Sequence, residues 1–61
     1  MIRPNDIVLY NHPDWGRVRG RVIRIEPNDL RNGRLEALCQ DLAPNGGREW
    51  WPVAQLSKES R

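Results

Sequence analysis

Residues Arg17 to Glu26 constrain the fold more than any other stretch of the chain. Val18, Gly20 and Val22 alternate with Arg17, Arg19 and Arg21. That is the period of two which sends successive side chains to opposite faces of a strand. The alternation then slips, because Ile23 and Ile25 are apolar on the other parity and Arg24 is polar. An unbroken strand would turn half of these side chains to the wrong face. A bulge or sharp bend between Gly20 and Ile23 removes the conflict. Small barrels use long, bent second strands of this kind to contribute to both of their sheets.

The remainder of the chain supplies partners for such a strand and little else. Apolar residues do not recur at helical spacing over any long window. Short apolar runs bounded by Pro, Asn, Asp and Gly predict strands at Ile7 to Tyr10, Arg17 to Glu26, Arg34 to Leu42 and Arg48 to Trp51. A fifth, edge strand is expected over Ser57 to Glu59. Arg3-Pro4-Asn5-Asp6 reads as a turn, Asn11 to Gly16 and Pro27 to Arg31 as loops, and Asn32-Gly33 as a hairpin turn. Leu35, Ala37 and Cys39 share one parity of the third strand. Val53 to Leu56 is too short for an α-helix and fits one 3-10 turn. These features predict an all-β, SH3-like small barrel of four to five strands forming one domain over residues 1–61, frayed from about residue 58.

With 61 residues, such a chain buries only about 60% of its unfolded surface, and its core is marginal without help. Cys39 is alone and excludes an intramolecular disulfide; His12 is alone and excludes the ordinary Cys/His zinc patterns. No metal and no cofactor is expected. The longest apolar run, Ile7 to Tyr10, is far short of a spanning helix, and no signal-peptide pattern opens the sequence. One unpaired cysteine fits a reducing, cytoplasmic setting.

Catalytic chemistry finds little support. The hydroxyl nucleophiles are Ser57, Ser60 and Tyr10, and the one imidazole, His12, is expected in a solvated loop. Nothing in the spacing brings a nucleophile, a base and an orienting group together. Cys39 at an apolar strand position reads as packing. No enzyme is predicted.

Two features point instead to binding. Net charge is only +2, but nine of the ten basic residues are Arg, and three of them, Arg17, Arg19 and Arg21, share one strand face. Their spacing of about 6.6–6.8 Å resembles that of consecutive phosphates on one nucleic-acid strand, and Trp15 and Tyr10 stand nearby to stack bases. The second feature is Trp50-Trp51. Adjacent strand residues face opposite ways, so one indole enters the core and the other points out. Pro52 and Leu56 place Trp51 with the 3-10 turn, leaving Trp50, beside Arg48, as the exposed anchor for a partner protein or a second copy of the chain.

Pro4-Asn5-Asp6-Ile7-Val8, followed by Gly16-Arg17-Val18-Arg19-Gly20-Arg21-Val22, resembles the start of a KOW-type segment, although Asn5 stands where that family usually has Gly. KOW and related SH3-like modules bind RNA, ribosomal or transcription components. The strand layout and the ending Pro52-Val53-Ala54-Gln55-Leu56 are similar to the small SH3-like subunit of photosystem I and to the ferredoxin-docking subunit of the photosynthetic NADH-dehydrogenase-like complex, which dock acidic carriers on basic surfaces. The same ending resembles type II dihydrofolate reductase, a tetrameric SH3-like barrel. That family carries Val-Gln-Ile-Tyr before the Pro, where this chain has Arg48-Glu49-Trp50-Trp51. The resemblances imply a nucleic-acid-binding module first, a protein-docking module second, and a reductase remotely.

Overall fold

A computed structural model describes residues 1–59 of the chain. It is all-β: β1 (Ile7–His12), β2 (Gly16–Asn28), β3 (Arg34–Asp41), β4 (Arg48–Pro52) and β5 (Ser57–Lys58), with 3-10 turns at Asp29–Arg31 and Val53–Gln55. The strands form one antiparallel sheet in the order β4-β3-β2-β1-β5. The 3-10 turn after β4 carries the chain across to the far side of β1, which gives the molecule its small-barrel shape.

The β2 ladder skips a residue where the sequence alternation slips. Val22 pairs with Cys39 and Arg24 with Leu38, so Ile23 has no partner. Before the skip the even-numbered residues Gly20 and Val22 are buried; after it the inward position passes to Ile25, opposite buried Ala37. Val8, Tyr10, Val22, Ala37 and Cys39 form the core, with Ile2, Val18, Ile25, Trp51, Val53 and Leu56 packed around it.

This core is filled by one ring laid over a glycine. Tyr10 sits at 4% exposure, tilted against Trp51 at a centroid separation of 4.9 Å. A Cβ at Gly20 would stand 2.9 Å from the Tyr10 ring and 3.1 Å from the Gln40 carbonyl. Only a residue without a side chain lets the phenol cover the strand so closely. The stacking role anticipated for Tyr10 is therefore corrected: the ring is a core residue, with no face left for a base.

Strand ends differ from expectation where pairing extends them. β1 continues to His12 because the hairpin closes on a His12–Gly16 pair, and β2 continues to Asn28, opposite Arg34. Asn28 Oδ1 accepts a hydrogen bond from Leu30 N–H and caps the unexpected 3-10 turn, and Asn32 and Gly33 take φ of 58° and 71° to close that hairpin. Leu35, on the same parity as buried Ala37 and Cys39, is 53% exposed. Its partner is Pro27, near the tip of the hairpin and beyond the barrel core. Lys58 pairs with Val8 and Glu59 N–H donates to the Ile7 carbonyl at 2.9 Å. The rest of the expected frayed end lies outside the described residues.

The packing of this core sets how stability responds to substitution and to pH. Gly20→Ala drives a methyl into the Tyr10 ring and a backbone carbonyl, and overpacking of this kind costs about 1–3 kcal/mol. Urea denaturation followed by circular dichroism measures it, and an unchanged midpoint would refute the close approach. For pH, burial raises the Tyr10 phenol from 10.0 to about 12, with Asp41, Cys39 and Glu49 adding to the rise, and raises the Cys39 thiol from 9.0 to about 11. In that range the unfolded chain has released protons that the fold still holds, so stability falls as pH rises. The urea midpoint is expected to hold up to about pH 9 and to decline between pH 9 and about 12. Cys39→Ala should remove the lower part of the decline. A midpoint constant to pH 12 overturns the assignment.

Candidate nucleic-acid interface

Arg17, Arg19 and Arg21 are exposed on the outer face of β2, opposite Asn11, Leu9 and Ile7 of β1. The skipped residue extends this row. Directly opposed residues of an antiparallel pair share a face. Arg21 lies opposite Gln40 and Arg24 opposite Leu38, and Gln40 and Leu38, two apart on β3, share a face. Arg24 therefore lies on the same side as Arg21, three positions away, which a regular strand would forbid. The same reasoning across β3 brings in β4. Arg48 is opposite Gln40 and Trp50 opposite Leu38.

The side-chain contacts agree with the register. Arg48 Nε donates to Gln40 Oε1 at 3.0 Å, and the Arg24 guanidinium lies over the Trp50 ring, 5.5 Å from its centroid. The cation holds one indole face, while Trp50 keeps 42% of its surface exposed. Trp51, on the opposite face, packs on the core as the sequence suggested. Its Nε1–H is buried with no hydrogen-bond partner among the described residues, so Trp51 is held there by ring packing.

Acidic residues bound the face. Arg24 Nε is 2.9 Å from Glu26, and Glu26 stands opposite Glu36. With Asp29 they line a shallow depression beside Trp50. Arg19 pairs with Glu59 at 2.9 Å. Both ion pairs are exposed and worth little, since water and salt screen them. Among the described residues no carboxylate pairs with Arg17, Arg21 or Arg48.

Trp15 stands at the opposite end of the row, in the β1–β2 turn, and is 66% exposed. It stacks on His12 with centroids 4.4 Å apart and planes at 14°. His12 is not the solvated loop residue the sequence implied, since only 10% of its side chain is exposed. Its Nδ1 accepts from Asp14 N–H at 3.0 Å, so the proton sits on Nε2, which donates to Glu49 Oε1 at 3.3 Å. Both ring nitrogens are engaged, and the imidazole serves to prop Trp15. The buried Cys39 thiol, raised to about 11, is a poor nucleophile. No group of metal-binding side chains forms among the described residues.

Tyr10 thus leaves the predicted site, Arg24 joins it, and Arg48 moves from a separate contact into the same face. Comparison with known families, with curated proteins and with solved structures returns no match for this chain.

Replacing each indole separates the two tryptophans. Trp50→Ala is expected to keep the fold and to cost about 0.5–1 kcal/mol through the lost cation contact. Trp51→Ala is expected to cost several times more, approaching the ~3 kcal/mol of a buried aromatic. Equal costs in urea denaturation would contradict the placement of the pair.

Proposed function

We propose that the chain is a small, non-catalytic module of the SH3-like barrel class that binds nucleic acid on the outer face of β2, β3 and β4. The observation that carries this reading is the alignment of Arg17, Arg19, Arg21 and Arg24 along one strand face, joined laterally by Arg48 and Trp50. Arginine forks hold phosphate oxygens bidentately, and exposed indoles stack on bases. An arginine every second residue gives a track of about 6.6–6.8 Å repeat, close to the phosphate spacing of an extended single strand. The charge distribution fits a ligand that runs along β2 and stops short of Glu26 and Glu36.

The exposed indole also supports a second reading, a protein-docking surface anchored by Trp50. Salt dependence separates the two. Affinity for a random single-stranded oligonucleotide, followed by tryptophan fluorescence, is expected to fall log-linearly with salt at about −0.7 per phosphate contacted. Removing two contacts by Arg19→Ala with Arg21→Ala should make the slope shallower by about 1.4. Absence of binding below millimolar, or an affinity indifferent to salt, overturns the nucleic-acid reading. Retention of a protein by the wild type and not by Trp50→Ala, in the same circumstances, favours docking.

A further inference from the structure

A groove of about 640 Å³ opens beside the first turn of the arginine row, between Trp15 and the loop after β3, and Arg17, Arg19, Asp41, Leu42 and Pro44 stand along it. Its floor is a piece of strand edge that nothing covers. Val22 N–H donates to the Asp6 carbonyl and its own carbonyl accepts from Asn5 N–H, so the even-numbered residues of β2 point their backbone groups towards β1. The odd-numbered residues point the other way, as the bond from Leu42 N–H to the Arg19 carbonyl (3.1 Å) confirms. β3 pairs with β2 only from Gly20 onward. Among the described residues, the Arg19 N–H donates no return bond to the Leu42 carbonyl. The N–H and C=O of Arg17 face the groove with no strand beside them.

The far wall is pre-formed. The Gln40 side-chain amide donates to the carbonyls of Asp41, Gly46 and Gly47 at 3.1–3.3 Å. The carboxylate of Asp41 accepts from Ala43 N–H at 2.8 Å, and Asp41 N–H donates to Gly47 O at 3.0 Å. Beyond the Leu42–Arg19 bond the loop is held by its own bonds, and the edge at Arg17 stays open.

We infer that this groove takes one unpaired nucleobase, its Watson–Crick edge bonded to the open N–H and C=O of Arg17, beside the free N–H of Arg19, and its face against Trp15. An extended residue presents its own N–H and C=O side by side on one edge. Every base presents a donor next to an acceptor on its Watson–Crick edge, so the pair fits any base, provided that edge is not already paired. A single strand is therefore accepted and a duplex is not. The indole supplies the stacking face, and the Arg17 and Arg19 guanidiniums supply charge for the flanking phosphates. An added peptide strand is the competing occupant. The open edge offers one complete residue and a single further N–H, too short a ladder for strand addition, which draws its affinity from several main-chain bonds.

This inference rests on the nucleic-acid reading of the outer face, and one experiment separates their failures. The full chain is titrated with a single-stranded hexathymidylate, an abasic hexamer of the same phosphate count, and a duplex hairpin, while backbone amide signals are followed by NMR. The base slot predicts at least about tenfold weaker binding of the abasic strand and of the duplex, with the Arg17 and Arg19 amides shifting only for the base-bearing strand. Trp15→Ala should abolish the base-dependent shifts at Arg17 and Arg19 while keeping the salt slope, any preference that remains being that of stacking on Trp50. Equal affinity for all three with a normal salt slope overturns the slot and leaves the phosphate track standing. Binding of none of them overturns both. Shifts at Arg17 and Arg19 on adding an extended acidic peptide, with no response to any oligonucleotide, assign the edge to peptide and overturn the slot. Rapid amide exchange at Arg17 and Arg19, against slow exchange at Gly20 and Val22, is expected for the free protein; protection at Arg17 contradicts an open edge.

Discussion

At Ile23 the β2–β3 ladder skips a residue, and the side chains on either side of the skip are held on faces they could not share in a regular strand. Val22 and Ile25 both reach the interior; Arg21 and Arg24 both reach the outer surface. A chain of this size has few apolar residues to spare for its core, and losing Val22 or Ile25 to solvent would remove a large part of it. The pressure to bury both therefore sets the bulge. The outer row of arginines is a consequence, since whatever residues lie between the buried positions must face out together.

The same economy explains the aromatic core. The fully buried side chains are small: Val8, Val22, Ala37 and Cys39. Volume comes from Tyr10 and Trp51, tilted against each other, with Tyr10 pressed to the bare backbone at Gly20. That stack continues outward, because the His12 ring lies edge-on to Trp51 at 6.2 Å and flat against Trp15 at 4.4 Å. A line of aromatic rings thus runs from the core to the surface. Trp15 is supported from beneath by the packing that holds the barrel together. Its exposure is that of a braced platform, unlike a side chain free in a turn.

Local alternation made the fold legible in the sequence. Period-two patterning located β2, the parity slip located its bulge, Asn32-Gly33 marked a hairpin, and Pro52 marked the end of β4. The site was legible only where it depended on one strand. Arg17, Arg19 and Arg21 could be placed on a common face from spacing alone. Arg24 could not, because its side depends on which residue the ladder skips, and the sequence allowed the break anywhere from Gly20 to Ile23. Tyr10 was misread for a related reason. A tyrosine at the end of an apolar run looks the same whether its ring lies over a glycine across the sheet or projects into solvent, and the Tyr10–Gly20 contact is made between different strands. The open edge of β2 had no sequence signal at all. It arises because β3 ends at Asp41, the partner of Gly20, while β1 follows β2 to Gly16.

That early departure of β3 also joins the two proposed binding features physically. Where both neighbours flank β2, its backbone is satisfied and only side chains can meet a ligand, which suits a phosphate track that reads no sequence. Where β3 has left, backbone donors and an acceptor become available, which suits contact with a base edge. The transition falls at Arg19 and Gly20, within the arginine row. A strand lying along Arg24 and Arg21 would therefore be held by charge and by stacking on Trp50 until it reaches Arg19, and would meet its first hydrogen-bonding surface for a base at the groove. Arg19 itself is tied to Glu59 by an exposed ion pair that water screens and a phosphate can displace. In the proposed binding its guanidinium, like that of Arg24 beside Glu26, would exchange a carboxylate for a phosphate, whereas among the described residues Arg17 and Arg21 present theirs with no carboxylate to release.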